Sequence, residues 1–182
     1  DTISNYFDQS ISLRPIRLLP SVECPIMNKV SNEIDFVIIR ENSEDFYIGA
    51  GGRAKNGKNK NQLDITTNSL KIKFGLDIDS KGSEFAYQIG IISKRSCERA
   101  IRYAFEYAKK NNNKKLISID KANMMESYNL WRECFDKMAK EYPDIVCENI
   151  SVDMAVTNLL RQPEKYKMIV APNMFGDILS NL

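Results

Sequence analysis

Two short runs, Asp35-Phe-Val-Ile-Ile-Arg40 and Met168-Ile-Val-Ala171, are apolar at consecutive rather than alternate positions. Successive side chains of a strand point to opposite faces, so a continuously apolar strand must be covered on both sides. Covering layers are legible between the two runs. Cys97, Ala100, Ile101, Ala104, Phe105 and Ala108 recur at helical spacing, with Ser93 or Ser96 available as N-cap and Lys109-Lys110 near the end. Trp131, Cys134, Phe135, Met138, Ala139 and Tyr142 form a second stripe, stopped by Pro143. Leu116–Asp120 and Ile145–Val152 read as strands, Met154–Arg161 as a third helix, and a further helix begins near Phe175. Alternation of this kind specifies an α/β architecture.

The first half is less regular. Residues 3–14 read as a short helix running into Arg14-Pro15, where the residue before proline favours extended geometry. Ile16–Leu19 reads as a strand and Pro20–Asn32 as a loop. Residues 49–61, rich in Gly, Lys and Asn, read as a loop unable to bury a core. Leu63–Thr66 and Leu70–Phe74 alternate apolar and polar around Thr-Asn-Ser, the pattern of a β-hairpin. This hairpin would form a protruding arm within an insertion spanning about 53–84. Gly75–Gly82 is turn-rich, and Phe85–Ile92 returns as a strand. The sequence stops inside the apolar helical pattern after Phe175, which is expected of a piece of a longer protein.

Composition removes several function classes. The net charge of +2 implies no acidic partner. Arg53, Lys55, Lys58 and Lys60 form one basic loop without interleaved aromatics, a poor nucleic-acid footprint. No stretch approaches the ~20 apolar residues of a membrane span, and no signal-peptide pattern opens the sequence, so the expected location is the cytoplasm. Cys24, Cys97, Cys134 and Cys147 lie far apart and histidine is absent, which argues against a zinc site. Any acid–base chemistry must therefore rest on Lys, Tyr, Asp or Glu.

Such residues collect where strands end. Arg40 and Tyr47 follow the DFVIIR strand, and Lys121 and Asn123 follow Leu116–Asp120. The carboxyl ends of strands are where ligands gather in α/β sheets. An arginine there is suited to bidentate binding of a carboxylate, although an ordinary salt bridge accounts for each residue singly. Asp177 and Asn181, four apart on a helix, would share a face and offer oxygen ligands to Mg²⁺ or Mn²⁺, or simply form a surface pair.

Four segments in order, RPIRLLP from Arg14, RENSEDFYIG from Arg40, DKAN from Asp120 and FGDILS from Phe175, resemble the signatures of the β-decarboxylating 2-hydroxyacid dehydrogenases. That family includes isocitrate, 3-isopropylmalate and tartrate/D-malate dehydrogenases. The helix around Tyr128–Trp131 and the EYPDI turn are similar too. The resemblance implies an isopropylmalate/isocitrate dehydrogenase-like fold. Residues 1–182 would be mostly its second, substrate-binding and dimerisation domain, with nucleotide-binding portions beyond both ends. It also implies roles. Arg14 and Arg40 would bind substrate carboxylates, Tyr47 and Lys121 would serve the acid–base steps, and Asn123 would lie near the nicotinamide of NAD or NADP. Asp153, Asp177 and Asn181 would hold Mg²⁺ or Mn²⁺, with Lys121 and Asp153 supplied across a homodimer with shared active sites. The substrate would be a small 2-hydroxy di- or tricarboxylic acid, with no nucleic acid or membrane as partner. A lysine of depressed pKa would take the hydroxyl proton, the metal would stabilise the oxyanion and enolate, and Tyr47 would protonate the enolate.

Two positions depart from the family pattern. Ser4 occupies the region of a further substrate-binding arginine, and Asn181 replaces a second aspartate, which removes one negative charge from the metal helix. These departures motivate an alternative, a non-catalytic regulatory or structural homologue that keeps the dimer surface. RENSED is similar to isocitrate dehydrogenases, DKAN with Met-Met-Glu to isopropylmalate dehydrogenases, and the GGR after Tyr47 to tartrate dehydrogenases, so the substrate stays open.

Overall fold

The computed structural model describes residues 9–182 except 25, 27, 28, 31, 32, 56 and 68. Its centre is a five-stranded sheet. The strands are β1 (Ile11–Arg17), β2 (Asp35–Glu41), β7 (Lys115–Asp120), β8 (Val146–Ser151) and β9 (Met168–Ala171), in the order β1-β2-β9-β7-β8. β2, β9, β7 and β8 run parallel, and β1 lies antiparallel along the β2 edge.

The continuous apolar runs are buried on both faces, as their pattern requires. Val37, Ile39, Met168 and Val170 meet α1 (Lys94–Lys110) and α2 (Glu126–Ala139) through Cys97, Ile101, Phe105, Trp131 and Phe135. Phe36, Ile38, Ile169 and Ala171 face the other way, toward Ala155 and Leu159 of α3 (Val152–Arg161) and Phe175 and Leu179 of α4 (Asn173–Leu179). Ile38 and Ile39 are fully buried, each worth roughly 1.5–3 kcal/mol over an exposed position. The Trp131 indole finds a partner in the core, donating to Ser118 Oγ at 3.0 Å. Cys97 and Cys134 are buried free thiols.

Several boundaries differ from the sequence reading. Of the helix expected over 3–14, residues 3–8 lie outside the described residues, and Ile11–Arg14 are strand. Pairing from Ile11↔Glu41 to Arg17↔Asp35 overrides the local helical pattern, and Pro15 is tolerated because β1 is an edge strand. The segment expected to be loop at 49–61 contains β3 (Gly51–Ala54), which pairs with β6 (Phe85–Gln88), and the start of β4 (Lys58–Thr66). A Cβ on Gly52 would lie 2.6 Å from the Tyr87 hydroxyl oxygen, so close approach requires glycine there.

The expected hairpin is present and longer, β4 pairing with β5 (Lys71–Asp79) from Lys58↔Asp79 to Thr66↔Lys71. β5 therefore runs through most of the stretch read as turn-rich. Near the hairpin turn, Thr67 Oγ1 donates to Glu44 Oε1 at 3.2 Å, which ties the tip to the loop after β2. α2 ends at Ala139, before Pro143, and α4 ends at Leu179, so the last residues are outside the helix. Among the described residues no helix is long and apolar enough to cross a membrane.

Candidate functional site

Arg40 occupies the carboxyl end of β2, level with Ala171 of β9. α4 starts two residues later, at Asn173, and lays its first turns over that end. Gly176 makes the approach possible: a Cβ there would fall 2.8 Å from both Cβ and Cγ of Arg40. The buried Arg40 guanidinium is then fixed from two directions. Its Nε donates to Asn173 Oδ1 at 2.8 Å, and its Nη1 donates to Asp177 Oδ1. Asn173 uses its other end as well, Nδ2 donating to the Glu44 carbonyl at 2.8 Å.

Arg14, two pairs along the β1–β2 ladder, reaches the same place. Its Nη1 donates to Asp177 Oδ1 at 3.1 Å and to Ser180 Oγ at 2.5 Å. Tyr47 closes the cluster from the loop after β2, its hydroxyl donating to Asp177 Oδ2 at 3.2 Å while its ring lies against the Arg40 guanidinium. Burial lowers the Arg40 pKa against the opposing pull of Asp177, and burial followed by Asp177 raises that of Tyr47. The tyrosine thus holds its proton at neutral pH while standing half-exposed.

The loop that carries Tyr47 is pinned by three buried carboxylates. Glu41 accepts from Ser43 N, Glu44 N and Ser96 Oγ at 2.8, 3.0 and 2.7 Å. Glu44 accepts from Ser93 N and Oγ at 2.6 and 2.9 Å, at the N-cap of α1. Asp45 accepts from the Tyr128 hydroxyl and from Met174 N, both at 2.9 Å.

Lys121 and Asp153 form a second, separate group. Asp120 is buried, chelated by Arg132 Nε and Nη2 at 2.9 and 2.7 Å, and it accepts from Ala122 N at 2.9 Å. This fixes the turn that presents Lys121, whose Nζ donates to Asp153 Oδ1 in the first turn of α3. That contact holds the Asp153 carboxyl below the usual carboxylate value. Asn123 is exposed in the same turn.

Arg14, Arg40, Tyr47 and Asp177 are thus brought together, whereas Lys121, Asp153 and Asn123 stand apart. Asn181 lies past the end of α4, so the expected helical face is not formed; its Nδ2 donates to the Asp177 carbonyl at 2.7 Å. Ser4 lies outside the described residues. Asn173 and Ser180 are not singled out by the sequence, although Asn173 lies one helical turn before Asp177 and Ser180 caps the end of α4 three residues after it. Among the described residues no group of three acidic or cysteine side chains could hold a metal ion. The basic stretch, here in β3 and β4, is partly neutralised, Arg53 pairing with Glu84 at 2.8 Å and Lys60 with Asp77 at 3.7 Å.

Comparison with known proteins shows the family to which the chain belongs. A family model described as isocitrate/isopropylmalate dehydrogenase matches residues 3–182. The D-malate dehydrogenase [decarboxylating] of Escherichia coli is 35% identical over 177 residues, covering 97% of this chain and 43% of that protein. The 3-isopropylmalate dehydrogenase of Streptomyces avermitilis is 35% identical over 177 residues, covering 97% and 44%. A crystal structure of isocitrate dehydrogenase from Methylococcus capsulatus superposes with a TM-score of 0.77 at 27% identity, covering 98% of this chain and 45% of that one. The chain belongs to the isocitrate/isopropylmalate dehydrogenase family, and it spans under half the length of these relatives.

Proposed function

We propose that this chain is the substrate-binding and dimer-forming part of an enzyme that oxidises and decarboxylates a small 2-hydroxy di- or tricarboxylic acid, using a divalent metal and NAD or NADP. One observation carries the reading: Arg14, Arg40 and Tyr47 converge on the single carboxylate of Asp177 at the carboxyl edge of the sheet. Two guanidiniums around one carboxylate are chemically suited to holding carboxylates, and here both hold that of Asp177. A dicarboxylic acid brings groups that can take over those donors and free the Asp177 oxygens.

The residues present fit half a metal site. Asp177 offers hard oxygens, but one carboxylate beside two arginines carries too little negative charge for a divalent cation. The remainder would come from the substrate's own carboxylate and from Asp153 of a second copy of the chain, with the Asn181 amide oxygen as a neutral donor. Bound there, the cation would act as a Lewis acid on the substrate's hydroxyl and carboxylate oxygens. Lys121 of the second copy would accept the hydroxyl proton. Tyr47, which keeps its proton at neutral pH, would deliver one to carbon after CO₂ leaves. Asn123, beside Lys121, would face the nicotinamide. The proposed homodimer is supported by the separation of the two residue groups and by the hairpin, whose Ile72, Phe74, Leu76 and Ile78 line one side and suit an apolar partner surface.

The full-length protein, assayed with Mn²⁺ for reduction of NAD⁺ and NADP⁺ on D-malate, tartrate, isocitrate and 3-isopropylmalate, is expected to turn over one of these acids. Silence on all four, with no Mn²⁺ binding, would overturn the reading. Asn181 favours a second reading, the non-catalytic homologue, because it places an amide just past the end of α4, beside Asp177, where the proposed metal site is short of charge. Restored Mn²⁺ binding in Asn181→Asp of an otherwise silent protein would support it.

A further inference from the structure

Asp45 does not touch the carboxylate cluster, yet it joins the elements that build it. Its backbone has φ of 72°, in the left-handed region that few residues other than Gly, Asn and Asp enter readily. The main chain is held there by a two-way bridge with Ile91, Asp45 N donating to Ile91 O at 2.7 Å and Ile91 N donating back at 3.4 Å. The side chain is 1% exposed, and its two oxygens go to different helices. Oδ2 takes the backbone N–H of Met174 in the first turn of α4, the helix that carries Asp177. Oδ1 takes the hydroxyl of Tyr128 on α2, whose ring also packs on Phe175 of α4 at 4.8 Å between centroids.

Nothing in this arrangement needs a charge for the fold alone. No cation pairs with Asp45 among the described residues, and burial makes its ionised form costly. What an aspartate supplies is two acceptors on one short stem, compatible with a left-handed backbone, two residues before Tyr47.

We propose that Asp45 is a positioning residue for catalysis, which locks the Tyr47 loop, α4 with Asp177, and α2 into one rigid unit. The inference rests on the functional reading above. The main chains of Arg14 and Arg40 are held by the sheet ladder independently of Asp45, so substrate binding should depend on it less than the chemical step does. Asn173, which fixes Arg40 directly, acts on the other side of the same loop and leaves Met174 N to Asp45.

The test compares Asp45→Ala, Asp45→Asn and Tyr128→Phe in the full-length protein. Asp45→Ala removes both acceptors. A displacement of about an ångström at a reacting group costs on the order of 100-fold, so kcat is expected to fall by about that factor with KM within about twofold. Asp45→Asn keeps the left-handed backbone; its oxygen can accept from Met174 N while its NH₂ donates to a reversed Tyr128 hydroxyl. It is expected to retain most of the wild-type kcat. Amide hydrogen exchange is read in parallel. Residues 44–48 and 173–176 should lose protection together in Asp45→Ala, keep it in Asp45→Asn, and α1 should be unaffected in both.

If Asp45→Ala fails to fold, Tyr128→Phe removes one of the two ties and should give a smaller fall in kcat and a partial loss of the same protection. Unchanged kcat and protection in Asp45→Ala, or equal damage from Asp45→Asn, would overturn the proposal. Wild-type protein without any turnover would defeat the functional reading instead, and the exchange pattern alone would then decide whether Asp45 couples these segments.

Discussion

The guanidinium of Arg40 lies 5.6 Å from the centroid of the Tyr47 ring, and both side chains end on the two oxygens of Asp177. Arg40 is only 7% exposed, so its donors must be met by protein or by a ligand carboxylate rather than by bulk water. Lysine at this position would keep the charge and lose the planar fork, including the bond from Nε to Asn173. Arg40→Lys is expected to raise KM for the acid by roughly tenfold to a hundredfold, equivalent to ~1–3 kcal/mol of binding, with a smaller change in kcat. Steady-state kinetics of the two proteins decides it, and an unchanged KM would remove Arg40 from substrate binding.

Gly176 gives an independent handle on the same contact. Alanine would drive its Cβ into Arg40 Cβ and Cγ, and the arginine is buried and tied at its far end, so neither partner can move freely. Gly176→Ala should destabilise the protein by ~1–3 kcal/mol, as overpacking does, despite the better helix propensity of alanine. Chemical denaturation checks the sign: a more stable variant would mean that α4 lifts from β2 without strain.

Legibility in the sequence followed the physics of each segment. β2, β9 and the helices α1 and α2 were readable because burial on two faces, or on one helical stripe, leaves a periodic signature. Ile11–Arg14 carries a local helical pattern, and its strand state comes from pairing with β2, a partner more than twenty residues away. Gly51 and Gly52 carry no strand signature, since their role is to let Tyr87 and Gln88 approach. In the site, Arg40 and Tyr47 are legible from a strand end, Asp177 from helical spacing and Arg14 from motif resemblance, whereas their meeting at one carboxylate is a tertiary fact. Asn173 is accessible from its helical spacing with Asp177, and Ser180 from its place at the helix end. Asp45 is not, because nothing in Ser-Glu-Asp-Phe announces a left-handed backbone or a buried carboxylate.

That buried carboxylate should leave a mark on stability against pH. Burial raises the Asp45 pKa above its ordinary value of 3.8, with Glu41 adding in the same direction and the donors Met174, Tyr128 and Phe46 opposing. The folded protein therefore binds a proton more tightly than the unfolded chain. The resulting stabilisation is complete below pH 3.8 and is lost as pH rises through the folded-state value. Asp45→Asn lacks this slope, so its stability relative to wild type should be better at about pH 7 than at about pH 4. Urea unfolding of both proteins at the two pH values measures the difference. A gap that is constant with pH would mean that the carboxyl is solvated in the native state.

The hairpin makes a prediction about assembly. In β5, half-buried Ile72, Phe74, Leu76 and Ile78 alternate with exposed Lys71, Lys73, Gly75, Asp77 and Asp79, and Leu63 and Ile65 of β4 pair with Phe74 and Ile72. A two-stranded ribbon is marginal alone, so its apolar side needs a covering surface. On the proposed dimer, Phe74→Asp is expected to shift the full-length protein toward monomer in sedimentation equilibrium. An unaltered dimer would assign the ribbon's apolar side to its own subunit.

Sharing of active sites can be tested without knowing the interface. In one protomer Tyr47 meets Asp177 while Lys121 meets Asp153, and no hydrogen bond or ion pair among the described residues links the two groups. If a complete site takes Tyr47 from one subunit and Lys121 from the other, Tyr47→Phe and Lys121→Ala homodimers are each defective at both sites. A hybrid of the two carries one site with both residues intact and one with both replaced. Random exchange makes half the dimers hybrid, so equal mixing should restore about a quarter of wild-type activity. Recovery should appear only after conditions that allow subunits to exchange, and native mass spectrometry can count the hybrids. Hybrids that form and stay inactive would put Tyr47 and Lys121 of the same subunit in the same site, and would require the two groups seen here to close on one another within a single chain.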